Sequence, residues 1–507
     1  MKKLFIAALS AMVILLVSCF KDKSNYDYTP NEKITVTGIN SSYDRISLVD
    51  SINIKPTVVS SDPSAKFQYV WGIYETNVQG IVPKIDTICK TQVLKYFIKQ
   101  PAKTWVLVFA AKNLNTGYTQ YVTSNLNVIT QFTRGWYVLK DDGSKTDMDL
   151  FLTPTTITPA SKMENIYSFV NGKKLDGKAK VLCFETSYKS TVTGVLGNTR
   201  GMFIASSKDA SIINMNTLLE IRDFNGSFYS IPPVKAPGAM LVGSAADYFV
   251  NNGLIHSIYA MSANTGVFGN YQMRDAINSP YSVSDYYYTY FVSDPIFFDE
   301  MSSSFVSAGG AGTMLNTVTD AVGTNMPANK NNKTLLYMGM KASGNAIALF
   351  KDKTDANLKI LSNITPTVGA FKMLNDTLLT SNKLFNASII TCNYTDENMI
   401  YFVVGNQVWS RNLTNKLEQL QYTAPAGETI VFVRHRKYSV TADIAFAYNY
   451  VMVGTTDGTN YNVRMFTKTA GNLAATPAFT LTGKGTGVGD VFYLSPSVSY
   501  TTYQNSY

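Results

Sequence analysis

Four kinds of side chain in this sequence could do more than pack: one cysteine behind an apolar leader, clustered carboxylates, a run of tyrosines, and two histidines. Lys2 and Lys3 precede the apolar stretch 4–17, which ends in Leu16-Val17-Ser18-Cys19. Positive charge, apolar core, small residue and then Cys is the order of a lipobox. Residues 1–18 read as a lipoprotein signal peptide, removed as the Cys19 thiol is acylated. The apolar stretch is too short to persist as a spanning helix, and no later run approaches 18 apolar residues. The membrane is reached through lipid.

Carboxylates come next, because a glycoside hydrolase needs an acid and a nucleophile or base at fixed separation. The candidates are Asp141-Asp142, Asp147, Asp149, Asp299-Glu300 and Asp396-Glu397. Asp141-Asp142-Gly143 has the composition of a hairpin turn, and Asp396-Glu397-Asn398 that of a loop before a strand. Asp299-Glu300, after Pro295-Ile-Phe-Phe298, is the pair least explained by backbone needs. Asp141, Asp142, Asp147 and Asp149 lack the Gly and distal Glu of a calcium loop. His256 and His435 stand apart, and no HExxH, GxSxG or GxxxxGK[ST] motif occurs. The glycines of 483–489 miss the dinucleotide spacing and read as a mobile inter-strand loop. Cys89, Cys183 and Cys392 are too widely spaced for a zinc site or disulfide framework, and the last two read as small buried strand residues. The expectation is no catalytic set, no metal and no cofactor, hence not an enzyme.

Asp285-Tyr-Tyr-Tyr-Thr-Tyr-Phe-Val-Ser-Asp294 is the most unusual segment. On a strand, Tyr286, Tyr288 and Tyr290 share one face, which makes them a candidate platform for stacking a sugar or peptide. Packing between strands is the competing use of the same rings. Arg434-His435-Arg436-Lys437 is the one tight basic cluster, and it reads as solvated rim charge. Removing the leader with its two lysines takes the net charge from +9 to +7, which is too dispersed for a nucleic-acid interface.

The elements that must position these residues are strands. Aromatics make up 12% of the chain and charged residues only 16%, a β-rich composition. Residues 19–33 are polar and aperiodic, a lipidated tether. From Ile34 the pattern alternates, and about seven short strands over 34–130, with Trp71 mid-strand, predict an Ig-like sandwich with Trp71 in its core. Over 131–507, four hairpins recur: 136–152, 335–350, 399–412 and 450–466. Spacing near 50 residues predicts a β-propeller of seven or eight blades, with 399–449 as one blade. Two β-sandwiches are the alternative. Helix is expected only at 208–221 and 373–384.

The lipobox, Cys19-Phe-Lys-Asp-Lys-Ser-Asn-Tyr-Asp-Tyr28, Ile34-Thr-Val36, Tyr69-Val-Trp71 and Gly135-Trp-Tyr-Val-Leu139 together resemble the PKD-like lipoproteins of Bacteroidetes. The resemblance covers roughly 19–150. Lys21-Asp22-Lys23 offers one acidic residue where surface-exported lipoproteins of that phylum carry several. It implies a lipid-anchored outer-membrane protein at the cell surface. It also implies an accessory, non-catalytic role in Sus-type uptake of oligopeptide or glycan, with a TonB-dependent transporter and a lid lipoprotein as partners. The alternatives are a surface glycan hydrolase and a purely structural or adhesive surface protein.

Overall fold

In the computed structural model, described residues run from 32 to 503, apart from 76–83, 156–158, 193–195, 244, 262–264, 290–293, 342–343, 368–369 and 394–395. Cys19 and the tether up to residue 31 lie outside them. The chain divides into two compact units, Met1–Val128 and Ile129–Tyr507. Both are built from strands.

In the first unit a five-stranded sheet runs in the order Ser42–Ile46, Thr119–Ile129, Lys103–Asn113, Phe67–Glu75, Asp86–Cys89, with the last four strands each antiparallel to the next. Two short pairs accompany it, Ile34–Thr37 with Thr57–Ser60 and Ser51–Ile54 with Leu94–Phe97. Ser51–Ile54 alternates exposed and buried residues, as a strand with one wet face must. Ile52, Ile54, Leu94, Leu107, Phe109 and Leu126 close around Trp71, which is fully buried. Its ring lies 4.6 Å from that of Phe109, and its indole N–H donates to the Gln92 carbonyl at 3.1 Å.

Among the described residues the second unit holds seven successive sheets of three to five strands, antiparallel except where Thr319–Asp320 runs parallel to Ala370–Leu378, and one short two-stranded pair, Lys468–Thr469 with Asn472–Leu473. The first joins the two ends of the unit: Gly487–Leu494 pairs with Gly135–Asp141, which continues to Lys145–Leu152 and Ser161–Met163. The others follow in chain order and begin at Ala179–Ser190, Pro237–Val242, Val283–Thr289, Lys333–Met340, Ile389–Cys392 and Thr429–Tyr438. Each starting strand neighbours that of the next sheet, and Thr429–Tyr438 neighbours Gly487–Leu494, so the succession returns to its start. No sheet among the described residues closes on itself. The third sheet has three strands, Pro237–Val242, Ala246–Asn251 and Leu254–Tyr259.

Asx turns link neighbouring strands in several sheets. Asp352 accepts from the Thr354 and Asp355 amides at 2.8 and 2.9 Å, Asn412 from Thr414 and Asn415, and Asp457 from Thr459 and Asn460. Three sequence readings are corrected. Residues 208–221 form the strands Ala210–Asn214 and Glu220–Asp223 rather than a helix. Of 373–384, the first half belongs to the strand Ala370–Leu378, and only 383–384 enter a short helical turn, Lys383–Asn386. The sheet expected to span 399–449 runs from Ile389 to Thr423, and 430–434 begins the next one. The one α-helix described, Ile166–Asn171, went unpredicted. It stands on two strand carboxylates, with Asp149 accepting from the Asn165 amide at 2.8 Å and Asp147 from the Ser168 amide at 3.1 Å.

Trp71→Ala removes the largest side chain of the first core. It should lower that unit's unfolding free energy by about 3–5 kcal/mol in chemical denaturation, as truncation of a buried large aromatic does. A wild-type midpoint would contradict the packing.

Candidate functional site

The sequence-predicted groups separate into distinct surroundings. Asp141 accepts from the Gly143 amide at 2.8 Å, and Asp142 from Ser144 and Lys145 at 3.1 and 2.8 Å, so both shape their hairpin. Asp149, fully buried, pairs with Lys140 at 2.8 Å and accepts from the Tyr461 hydroxyl at 2.7 Å. Asp396 and Glu397 share Lys468 at 2.9 and 2.6 Å, which helps hold both carboxyls below their ordinary range against burial. Asp299 is fully buried and accepts from the Ser282 and Met301 amides at 3.0 and 3.1 Å. Glu300 beside it is different. Burial pushes its carboxyl up to about 7, and it accepts the Leu335 amide at 3.1 Å. Among the described residues no group of His, Cys, Asp and Glu is arranged to hold a metal.

The tyrosine platform does not form. Tyr288 is fully buried, its ring 6.1 Å from Phe371. Tyr286 is half-buried and packs edge-to-face on Tyr337 at 5.4 Å. Tyr290 lies outside the described residues. The side that Tyr286 and Tyr288 share turns into the hydrophobic core between sheets.

The basic cluster is no solvated rim either. Arg434 and Arg436 meet the fully buried Asp490 at 2.6 and 3.2 Å, and Lys437 meets Asp396 at 2.7 Å. His435 is fully buried; burial pushes it down to about 4, and its Nε2 sits 2.8 Å from Asn449 Oδ1. Arg434 and Arg436 line a narrow interior space with Leu182, Leu241 and Phe492, and Tyr503 forms part of its wall. The glycines of 483–489 are close-packed, not a mobile loop. A Cβ on Gly483 would stand 2.5 Å from the Tyr461 hydroxyl, and one on Gly487 2.5 Å from Asp141.

Sequence reasoning missed two features. Glu185 and Asp247, from the second and third sheets, hydrogen-bond through their carboxyl groups, which requires a proton between them. Burial raises both, and the Glu185 charge raises Asp247 further, while the shared hydrogen bond pulls Glu185 back down. Nothing local in sequence announces a pair 62 residues apart.

The second is a cavity of about 810 Å³ beside the third sheet. Asn252 (φ 50°) and Gly253 (φ 73°) form the two-residue turn from Ala246–Asn251 into Leu254–Tyr259. Among the described residues no regular fourth strand covers Leu254–Tyr259. An irregular segment donates to it twice, from the Gly269 amide to Ser257 O at 3.1 Å and from the Gln272 amide to Ile255 O at 2.8 Å. Between these bonds Asn270 and Tyr271 line the cavity, with Ile231, Pro233, Leu254 and Met273 supplying apolar wall. His256 is 4% exposed and lines the same space, its ring edge-on to Phe228 at 4.9 Å. Its Nδ1 is 2.9 Å from the Gly269 carbonyl, so Nδ1 carries the proton, while burial keeps the ring neutral. None of the lining residues carries a charge.

Comparison with known proteins supplies one family. Residues 19–179 match the PKD-like family. The match begins at Cys19, covers the described part of the first unit and runs into the second. A search of curated proteins finds no match. Among solved structures, a quinonprotein alcohol dehydrogenase-like protein from Bacteroides thetaiotaomicron is 12% identical, with 90% of this chain and 97% of that chain covered and a TM-score of 0.41. A putative 6-phosphogluconolactonase from Bacteroides uniformis is 10% identical over 84% and 99%, with a TM-score of 0.37. PorZ, a surface component of the type-IX secretion system of Porphyromonas gingivalis, is 10% identical over 73% and 53%, with a TM-score of 0.30. At these scores no activity carries over from any of them.

Glu300 gives the site a pH signature. Its folded value is raised, so the proton it keeps favours the folded state below about 4.5, and that contribution is lost as pH rises through about 7. Glu300→Gln should therefore flatten part of the decline in melting temperature between pH 5 and 8. Parallel curves for variant and wild type would contradict the assignment.

Proposed function

We propose that the protein is a non-catalytic binding and assembly component of the outer-membrane surface, anchored by lipid on Cys19. Its role in this reading is accessory to a Sus-type nutrient-uptake complex, with a TonB-dependent transporter and a lid lipoprotein as partners. The observation that carries the reading is a coincidence of position: the PKD-like match starts at Cys19, the residue the lipobox makes the mature N-terminus. Among the described residues no helix is long and apolar enough to cross a membrane, and a lipid anchor needs none.

The seven sheets are, in this proposal, the blades of a β-propeller. Supporting this are the returning succession of neighbours and the completion of the first sheet by the last strand. A propeller presents loops over a broad face, which suits docking, since specific interfaces take ~800 Å² per partner. Binding rather than turnover is favoured because the cavity beside the third sheet has uncharged walls, and the clustered carboxylates serve turns, a helix start and ion pairs.

Two measurements test this. Cys19→Ala should abolish labelling by a fatty-acid probe, and equal labelling of variant and wild type would remove the anchor. Solubilised in mild detergent and purified from its native membrane, the wild-type protein should bring the transporter and the lid lipoprotein with it. Recovery of the protein alone would count against the uptake role.

A further inference from the structure

The cavity beside the third sheet has two unused polar partners on its floor. In the hairpin of Ala246–Asn251 and Leu254–Tyr259, Leu254, His256 and Ile258 direct their backbone groups toward the neighbouring strand. Ile255 and Ser257 therefore face the free edge. Ile255 is satisfied there, its N–H by the Tyr281 hydroxyl at 3.0 Å and its carbonyl by Gln272. Ser257 is half satisfied: its carbonyl accepts from Gly269, but its N–H has no partner among the described residues. Next to it, His256 spends Nδ1–H on the Gly269 carbonyl, and its Nε2 likewise has no partner among the described residues. Nε2 is thus an unused acceptor on a side chain that lines the cavity.

We propose that this cavity binds an uncharged peptide through one main-chain amide and one apolar side chain. The amide N–H donates to His256 Nε2, and a neighbouring carbonyl accepts from the Ser257 N–H. The side chain enters between Ile231, Pro233, Leu254 and Met273, which line the same space. The volume of about 810 Å³ holds a short segment rather than one residue, and it lies in the usual range of ligand cavities. Walls without a lysine, arginine or carboxylate leave a charged ligand no partner, and the apolar stretch from Ile231 to Val234 with Leu254 and Met273 gives an apolar side chain somewhere to go. The inference rests on the protein being a binding component. It specifies which ligand chemistry and which residues.

The test uses the detergent-solubilised full-length lipoprotein and two probes, acetyl-Ala-Leu-Val-Ala-amide and maltohexaose, with binding read by saturation-transfer NMR and calorimetry. His256→Asn keeps a donor for the Gly269 carbonyl and removes the Nε2 acceptor. Val234→Trp narrows the mouth from a half-exposed position. The wild type should bind the peptide amide saturably and leave maltohexaose free, and each variant should bind the peptide at least about tenfold more weakly. If His256→Asn melts lower than wild type, Val234→Trp alone decides. No saturable peptide binding, or equal binding by wild type and the folded variants, overturns the proposal. Binding of maltohexaose that Val234→Trp abolishes overturns it in favour of a glycan. Because co-purification of the transporter is a separate readout, failure here with the complex intact removes the peptide site and leaves the surface role standing.

Discussion

The second unit depends on a pairing between strands at opposite ends of its sequence. Gly487–Leu494 lies along Gly135–Asp141 in antiparallel register, Trp136 opposite Tyr493 and Val138 opposite Val491. Closing a loop of that length carries an entropic cost that grows only slowly with length, so a well-packed strand can offset it. The packing is dense: Trp136 lies within 5 Å of both Tyr448 and Tyr493. Asp490, on the closing strand, is fully buried and still answered from both neighbouring sheets, by the Leu182 amide at 3.0 Å and by Arg434 and Arg436. Removing either side of such a cluster leaves buried charge unpaired, which is more costly than never having built it.

That constraint explains why the chemistry-bearing residues mostly do structural work. A strand that must meet its neighbours on both faces turns Arg434, His435 and Arg436 inward, toward Asp490 and Asn449. The aromatic run at 285–289 lies on the starting strand of the fourth sheet, where neighbouring sheets pack, and Tyr287 and Tyr288 are buried on its opposite faces. Where a sheet stops short, open volume with unused polar groups remains. The third sheet does so at Leu254–Tyr259, and the His256 cavity is the result.

What was legible in the sequence was local. Trp136 to Phe151, Leu335 to Phe350, Met399 to Asn412 and Tyr450 to Phe466 each show strand, turn and strand within about 16 residues, and each is a hairpin. Trp71 stood amid alternating apolar residues and is a core residue. Illegible were contacts that depend on distant chain: Gly487–Leu494 with Gly135–Asp141, Glu185 with Asp247, Arg436 with Asp490. A basic or aromatic run carries no mark of which face will be covered. The cavity had one readable signal, Asn252-Gly253 between strand-like runs, which fixes the hairpin at the edge of the third sheet. The irregularity of 265–280, which leaves that edge uncovered, has no motif.

The central claim is that this protein binds without converting. Purified protein incubated with peptide and glycan libraries tests it most directly, with the material recovered and weighed by mass spectrometry. Every library member should return at its original mass, whether or not it was retained by the protein. Cleavage products that disappear in Asp299→Asn, Glu300→Gln or Asp247→Asn variants would contradict the account and make the protein a hydrolase.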